Sequence, residues 1–80
     1  MIMRVLAFGI VKEIFGGGTV DVALEKNATT TELKIKLEQQ YPALNKLSSF
    51  MIAVNGEYAH VDTMIREGDE IAIIPPVSGG

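Results

Sequence analysis

Cysteine is absent from this chain of 80 residues, which also has no tryptophan and only one histidine. Without cysteine the chain forms no disulfide, no zinc–thiolate cluster and no catalytic thiolate of its own. Any cysteine-based chemistry therefore comes from a partner. The composition suits a reducing compartment, and we expect a cytoplasmic protein.

Basic residues and long apolar runs are also scarce. The sequence has seven Lys and Arg residues and ten Asp and Glu residues, which gives a net charge of −3. A nucleic-acid partner would need a basic surface, so we expect none. No apolar run approaches the roughly 18 residues of a membrane span. Arg4 interrupts the apolar start of the chain, which lacks a signal-peptide cleavage pattern, so we expect no membrane association and no removed leader.

Alternating apolar residues predict strands at five places in the chain. Strands are expected over residues 1–8, 19–25 and 70–75, and on both sides of the Asn55-Gly56 turn within 50–61. Asn-Gly favours a type I′ hairpin turn because both positions need a positive φ. The strand at 70–75 is apolar on both faces, which is typical of a central strand.

Two helices are predicted between these strands. The clearer helix covers residues 29–40, where Thr29 and Glu32 match a capping box ahead of an apolar stripe. A helix of at most two turns is expected over residues 10–16, closed by Gly16. Its apolar side is predicted to carry Ile10, Ile14 and Phe15.

This order of elements predicts an α+β fold, with one main helix packed across a mixed sheet of about five strands. The strands at 1–8 and 70–75 are the most apolar, so we place them side by side at the centre. With a right-handed helical crossover the result is a β-grasp, or ubiquitin-like, fold. We expect one domain over residues 1–75 and a flexible tail over 76–80 that leaves from a central strand.

The tail has a stiff base and a slim tip. Pro75-Pro76 fixes two φ angles, and Val77-Ser78-Gly79-Gly80 then adds little bulk. Glycine leaves the backbone of the tip unobstructed. This shape suits a carboxylate that is threaded into a narrow channel. The alternative is a disordered stub, which would have no need of the prolines.

Other candidate sites favour a structural interpretation. Gly16-Gly17-Gly18 precedes a strand rather than a helix, so a flexible loop is favoured over a phosphate loop. His60 and Asp62 offer too few ligands for a metal ion, and we expect no metal site. An acidic cluster lacks the longer loop that calcium needs, although it could meet a basic partner surface. That cluster consists of Glu67, Asp69 and Glu70.

Several segments together resemble the small-subunit family of molybdopterin synthase, whose members are ubiquitin-like sulfur carriers. They cover essentially the whole chain, and they are VLAFG, KEIFG, TELKIKLEQQYP, AVNGEY and GDEIAIIPPVSGG. Sulfur carriers of the thiamine pathway also end in Gly-Gly but generally lack the double proline. These carriers, ubiquitin-like protein modifiers and a plain interaction module with an inert tail are the alternatives.

The resemblance implies a carrier that is not itself a catalyst. An ATP-dependent adenylating enzyme would activate Gly80, and a sulfurtransferase or cysteine desulfurase would supply the sulfur of a thiocarboxylate. The large subunit of molybdopterin synthase, in a two-plus-two heterotetramer, would pass that sulfur to cyclic pyranopterin monophosphate. The chain would bind no cofactor, since ATP is used by the activating partner.

The resemblance also assigns residues. Gly80 matches the reactive terminus, and the tail inserted into the partner comprises Pro75, Pro76, Val77, Ser78, Gly79 and Gly80. Phe8 matches an apolar position near the partner surface, and Ile74 stands where the family often has an aromatic residue just before the prolines. We expect both side chains to contact the large subunit. Lys12 stands where the family often has Arg, and a lysine does not reproduce the bidentate contact of a guanidinium.

Overall fold

The computed structural model describes residues 1–47, 49–59 and 62–76. Within them the chain forms a five-stranded mixed sheet, two α-helices and a short 3-10 helix at Pro42–Lys46. The strands are β1 (Ile2–Ala7), β2 (Thr19–Ala23), β3 (Met51–Val54), β4 (Glu57–Tyr58) and β5 (Ile71–Ile74). The α-helices are α1 (Gly9–Phe15) and α2 (Thr30–Gln40).

The strand order is β2-β1-β5-β3-β4. β1 pairs antiparallel with β2 and parallel with β5, and β5 pairs antiparallel with β3. The two most apolar strands therefore lie together at the centre, as predicted. The parallel pair β1 and β5 requires a crossover, and α2 lies within it. The predicted two-layer α+β arrangement is confirmed.

The two faces of the sheet differ in character. Along β1, Met3, Val5 and Ala7 are buried, whereas Ile2 and Arg4 are exposed on the other face. Ile71 and Ile73 of β5 are fully buried on the same side as Met3. The core between the sheet and the helices also includes Val11, Phe15, Val22, Leu33, Leu37, Leu44, Ile52 and Ile65.

α2 begins and ends as its sequence predicts. The Thr29 hydroxyl accepts a hydrogen bond from the Glu32 backbone N–H at 3.4 Å, so Thr29 is the N-cap. Leu33 and Leu37 are fully buried against the sheet. The ammonium group of Lys36 donates to the carbonyl oxygen of Ala23, which ties α2 to the edge strand β2.

One prediction for α1 is wrong. Phe15 is buried and Ile14 packs partly buried against the core, as predicted, but Ile10 is 45% exposed and Val11 is buried instead. Val11 and Phe15 are four residues apart and so lie one above the other on a helix, whereas Ile10 is turned about 100° away from Val11. Gly16 closes α1 in the left-handed conformation, with φ 79°, as predicted.

Candidate functional site

The face of the sheet away from α2 carries an apolar surface, which we call the open face. Strand alternation places most of its members there, because the adjacent residue along the chain points into the core. Tyr58 lies on the same face because it pairs with Ala53. Several are well exposed: Phe8 by 48%, Met51 by 45% and Tyr58 by 56%. The open face comprises Leu6, Phe8, Met51, Ala53, Tyr58, Ala72 and Ile74.

A shallow groove of about 310 Å³ lies in the open face. Leu6, Ala53 and Ala72 are its less exposed lining residues. Because two of these are alanines, the centre of the face is recessed. The groove is also lined by Phe8, Gly56, Tyr58, Glu70 and Ile74.

The two predicted apolar contacts lie together at this groove. Ala7 pairs with Ile73 in the parallel register of β1 and β5, so Phe8 follows level with Ile74. Phe8 is exposed and Ile74 is half-buried, and both line the groove. Their role as partner contacts stays a prediction.

Lys12 lies on α1 rather than at the groove. Its side chain is exposed, and its Cε atom lies 3.8 Å from the place where a Cβ atom on Gly18 would stand. The lysine stem therefore runs beside the glycine loop. A contact between Lys12 and a partner also stays a prediction.

The base of the tail lies at the end of the central strand β5. Pro75 and Pro76 are half-buried, and the Pro75 ring lies against Gly9. A chain that leaves from a central strand has a neighbouring strand on either side of its base. The remaining tail residues, Val77, Ser78, Gly79 and Gly80, lie outside the described residues.

A hydrogen-bonded cluster fixes the acidic turn before β5. The Arg66 backbone N–H donates to Asp69 at 2.7 Å, and the Asn55 side-chain amide donates to the same carboxylate at 2.9 Å. These bonds, with the charge of Arg66 in a minor role, hold the pKa of Asp69 below its ordinary value. Asn55 also accepts a bond from the Glu70 N–H at 2.9 Å. Asp69 therefore shapes the turn, while Glu70 of the predicted acidic cluster borders the groove.

The remaining sequence candidates are the glycine loop and the pair of His60 and Asp62. Gly16 serves as a helix cap, and His60 lies outside the described residues. Within the described part of the chain, no three His, Asp or Glu side chains are grouped closely enough to hold a metal ion. In that same part, no helix has both the length and the apolar character that a bilayer crossing needs.

Sequence reasoning missed most of the open face. The alternation in β1 and β5 already signals Leu6 and Ala72, which lie beside each other in the parallel pairing. Met51, Ala53 and Tyr58 join them only because β3 pairs with β5 and β4 pairs with β3. The Asn55-Gly56 turn signals the pairing of β3 with β4, whereas the pairing of β3 with β5 has no local sequence signal.

These features define a ubiquitin-like β-grasp protein with an apolar open face and a tail based on its central strand. The sequence model of the ThiS family matches residues 5–80, and the chain belongs to this family.

Similar proteins include carriers and modifiers. The molybdopterin synthase sulfur carrier subunit of Dictyostelium discoideum is 41% identical over 81 residues, which cover 96% of this chain and 94% of that protein. Small archaeal modifier protein 1 of Haloferax volcanii is 30% identical, with a TM-score of 0.83 and full coverage of both chains. A chain in the complex of subunits 1 and 2 of the Helicobacter pylori molybdopterin-converting factor is 26% identical, with a TM-score of 0.68 and full coverage of both.

Proposed function

We propose that this chain is the sulfur carrier subunit of a cytoplasmic molybdopterin synthase and that Gly80 carries the sulfur. The observation that carries the proposal is the position of the double proline at the end of central strand β5, beside the apolar groove. This arrangement sets a docking surface next to the base of a slim tail. The near full-length similarity to the Dictyostelium discoideum carrier supports the same function.

The chemistry follows from the weakness of a carboxylate as an electrophile. An activating enzyme would join the Gly80 carboxylate to the α-phosphate of ATP, giving an acyl-adenylate and releasing pyrophosphate. A persulfide sulfur from a sulfurtransferase or cysteine desulfurase would then displace AMP and leave an acyl disulfide. A thiol would reduce that S–S bond, so that Gly80 keeps one sulfur as a thiocarboxylate. ATP is thus used at the activating partner, and the carrier holds no cofactor.

The large synthase subunit would be the receiving partner. The open face would dock on that subunit while the tail enters its active site and gives sulfur to cyclic pyranopterin monophosphate. A typical specific interface buries about 800 Å² on each partner and has an apolar centre. The open face has the required apolar character, and the Helicobacter pylori complex of subunits 1 and 2 supports a large-subunit partner. We propose a two-plus-two heterotetramer.

Deletion of Gly80 tests the role of the terminus. The shortened chain should fold and bind the large subunit, because the core and the open face lie within residues 1–74. It should form no thiocarboxylate and transfer no sulfur in a reconstituted synthase assay. Full sulfur transfer by the shortened chain would refute the proposal.

A protein modifier is the second candidate function. Its support is the similarity to small archaeal modifier protein 1 over the whole of both chains. In that case Gly80 would form isopeptide bonds with lysine side chains. Mass spectrometry of tryptic digests of cell extracts separates the two functions. The last tryptic site before the tail is Arg66, so a modifier leaves residues 67–80 as a branch on target lysines, whereas a dedicated carrier leaves none.

A further inference from the structure

Gly9 and Pro75 meet where the chain turns from β1 into α1. The parallel register pairs Ala7 with Ile73, and two further residues along each chain bring Gly9 level with Pro75. A Cβ atom on Gly9 would lie 3.1 Å from the Pro75 Cγ atom, a tighter contact than nine in ten real Cβ atoms make. The proline ring therefore packs directly against the backbone at position 9.

Gly9 differs from the other glycines that have a positive φ in the described part of the chain. Its φ is +54°, and Gly16, Gly56 and Gly68 have φ values of +79°, +82° and +91°. A Cβ atom on any of those three would meet nothing within 4 Å. Backbone conformation alone accounts for glycine there. At Gly9 the missing side chain also leaves the space that the Pro75 ring fills.

The corner that holds Gly9 is well supported. The Val11 backbone N–H donates to the carbonyl oxygen of Phe8 at 3.1 Å, which closes the turn around Gly9. Val11 itself is fully buried and anchors α1 in the core. Pro75 thus rests against a backbone segment that has little room to yield.

We propose that Gly9 is a positioning residue for the tail: it forms the seat of Pro75 and so sets the direction in which the chain leaves the sheet. Pro75 has a fixed φ and no backbone N–H, so it cannot extend the β1–β5 ladder by donating a hydrogen bond. The packing of its ring against Gly9 is a contact that can orient it instead. The importance of this direction for sulfur transfer rests on the proposed carrier function.

A small movement at the seat is amplified at the tip. Gly80 is at most about 18 Å from Pro75 in a fully extended chain, so a tilt of about 10° at Pro75 would move the terminus by about 3 Å. A misplacement of about 1 Å can cost up to about a hundredfold in the rate of a positioned reaction. The Gly9→Ala change forces Pro75 to shift by a few tenths of an ångström.

Paramagnetic relaxation measurements on the full chain test the seat without any sulfur chemistry. The chain has no cysteine, so Ser78→Cys provides a single attachment point for a nitroxide. Relaxation of the backbone amides then reports where the tail points. Gly9→Ala is compared with Gly68→Ala, which also introduces a methyl group at a positive φ but in open space. Both variants are also made in a Pro75→Ala background, which lacks the ring atom that a residue 9 side chain would meet.

Gly9→Ala should change the relaxation pattern, and Gly68→Ala should leave it unchanged. In the Pro75→Ala background Gly9→Ala should produce no further change. The proposal is overturned if Gly9→Ala and Gly68→Ala give the same pattern, or if Gly9→Ala has the same effect in both backgrounds. If Gly9→Ala does not fold, Pro75→Ala alone tests the proposal. Without the proline ring the nitroxide should relax amides over a wider part of the protein, and an unaltered relaxation pattern overturns the proposal.

Single-turnover sulfur transfer at saturating large subunit provides the functional measurement. Gly9→Ala should slow transfer by about threefold to tenfold, and Gly68→Ala should transfer at the wild-type rate. An unchanged rate in Gly9→Ala overturns the positioning role. Failure of the wild-type chain to transfer sulfur would instead contradict the carrier function. The relaxation measurements would still show whether Gly9 sets the direction of the tail.

Discussion

Met51 of β3 lies directly opposite Ile74 of β5 in their antiparallel pairing. Both side chains are on the open face, and Phe8 follows β1 on the other side of Ile74. The last residue before the double proline is therefore flanked by an apolar side chain on each side. A partner that covers this row would also cover the base of the tail. In the proposed function, docking and tail insertion would therefore use the same surface.

A charge on the open face should weaken the complex with the large subunit. Phe8→Asp would place a carboxylate in an interface that loses its water when the partner binds, and burying an unpaired charge there is costly. We expect the Kd to rise about tenfold to thirtyfold, which corresponds to a loss of about 1.4 to 2 kcal/mol of binding free energy. Isothermal titration calorimetry with the purified large subunit measures this change.

Ile35→Asp is the matched control for Phe8→Asp. Ile35 is 49% exposed, almost the same as Phe8 at 48%, but it lies on α2 in the other layer of the fold. Its substitution introduces the same charge and should leave the Kd within about twofold. Equal Kd values for Phe8→Asp and wild type, or equal losses in both variants, would contradict docking through the open face.

The packing of α2 predicts a second contrast. Leu37 is fully buried between α2 and the sheet, so Leu37→Ala should lower the free energy of unfolding by about 2–5 kcal/mol. Ile35→Ala on the exposed side of the same helix should change it by less than about 0.5 kcal/mol. Urea unfolding followed by circular dichroism measures both variants. Similar losses at the two positions would mean that α2 packs in a different orientation.

The cluster around Asp69 predicts a dependence of stability on pH. The hydrogen bonds from Arg66 and Asn55 hold the pKa of Asp69 below its ordinary value of 3.8. A carboxylate with a lowered pKa stabilises the fold above the unfolded-state pKa, and this contribution is lost as the pH falls through the folded-state pKa. Asp69→Asn should therefore destabilise the protein near pH 7, and its difference from wild type should shrink below about pH 3.8.

Glu67→Gln provides the control for Asp69→Asn. Glu67 is an exposed carboxylate two residues away, so its substitution removes the same charge from the same turn. Unfolding curves recorded from neutral to acidic pH should show little difference between Glu67→Gln and wild type. A destabilisation by Asp69→Asn that does not vary with pH would show that the ionised carboxylate is not what stabilises the turn.

Much of the fold could be predicted from local sequence signals. The cap at Thr29 and the Asn55-Gly56 turn have distinctive residue types, and Asn55 and Gly56 have the predicted positive φ angles of 53° and 82°. The apolar character of β5 predicted its central position. For α1 the predictions of Phe15 and Ile14 on the core side are confirmed, and only that of Ile10 is wrong. Seven residues give too little periodicity to fix the phase of a helix, and Ile10 and Val11 are both apolar.

The candidate site was harder to predict than the fold. Phe8 and Ile74 came from the resemblance to sulfur carriers, and the structure places them together. The Asn55-Gly56 turn predicts the pairing that places Tyr58 beside Ala53. Met51 reaches Ile74 only through the pairing of β3 with β5, which the sequence does not encode locally. The contact of Gly9 with Pro75 joins residues 66 positions apart in the numbering. Only the parallel register of β1 and β5 brings them together.

The most direct test of the central claim is the mass of the C-terminal peptide that contains Gly80. The chain should be purified from its native cells during active cofactor synthesis, with the activating enzyme present. If Gly80 carries sulfur, a fraction of this peptide should gain about 16 Da, because one carboxylate oxygen has been replaced by sulfur. The gain should vanish when the activating enzyme is removed. A peptide that never shows this gain while the cells make the cofactor would contradict the account.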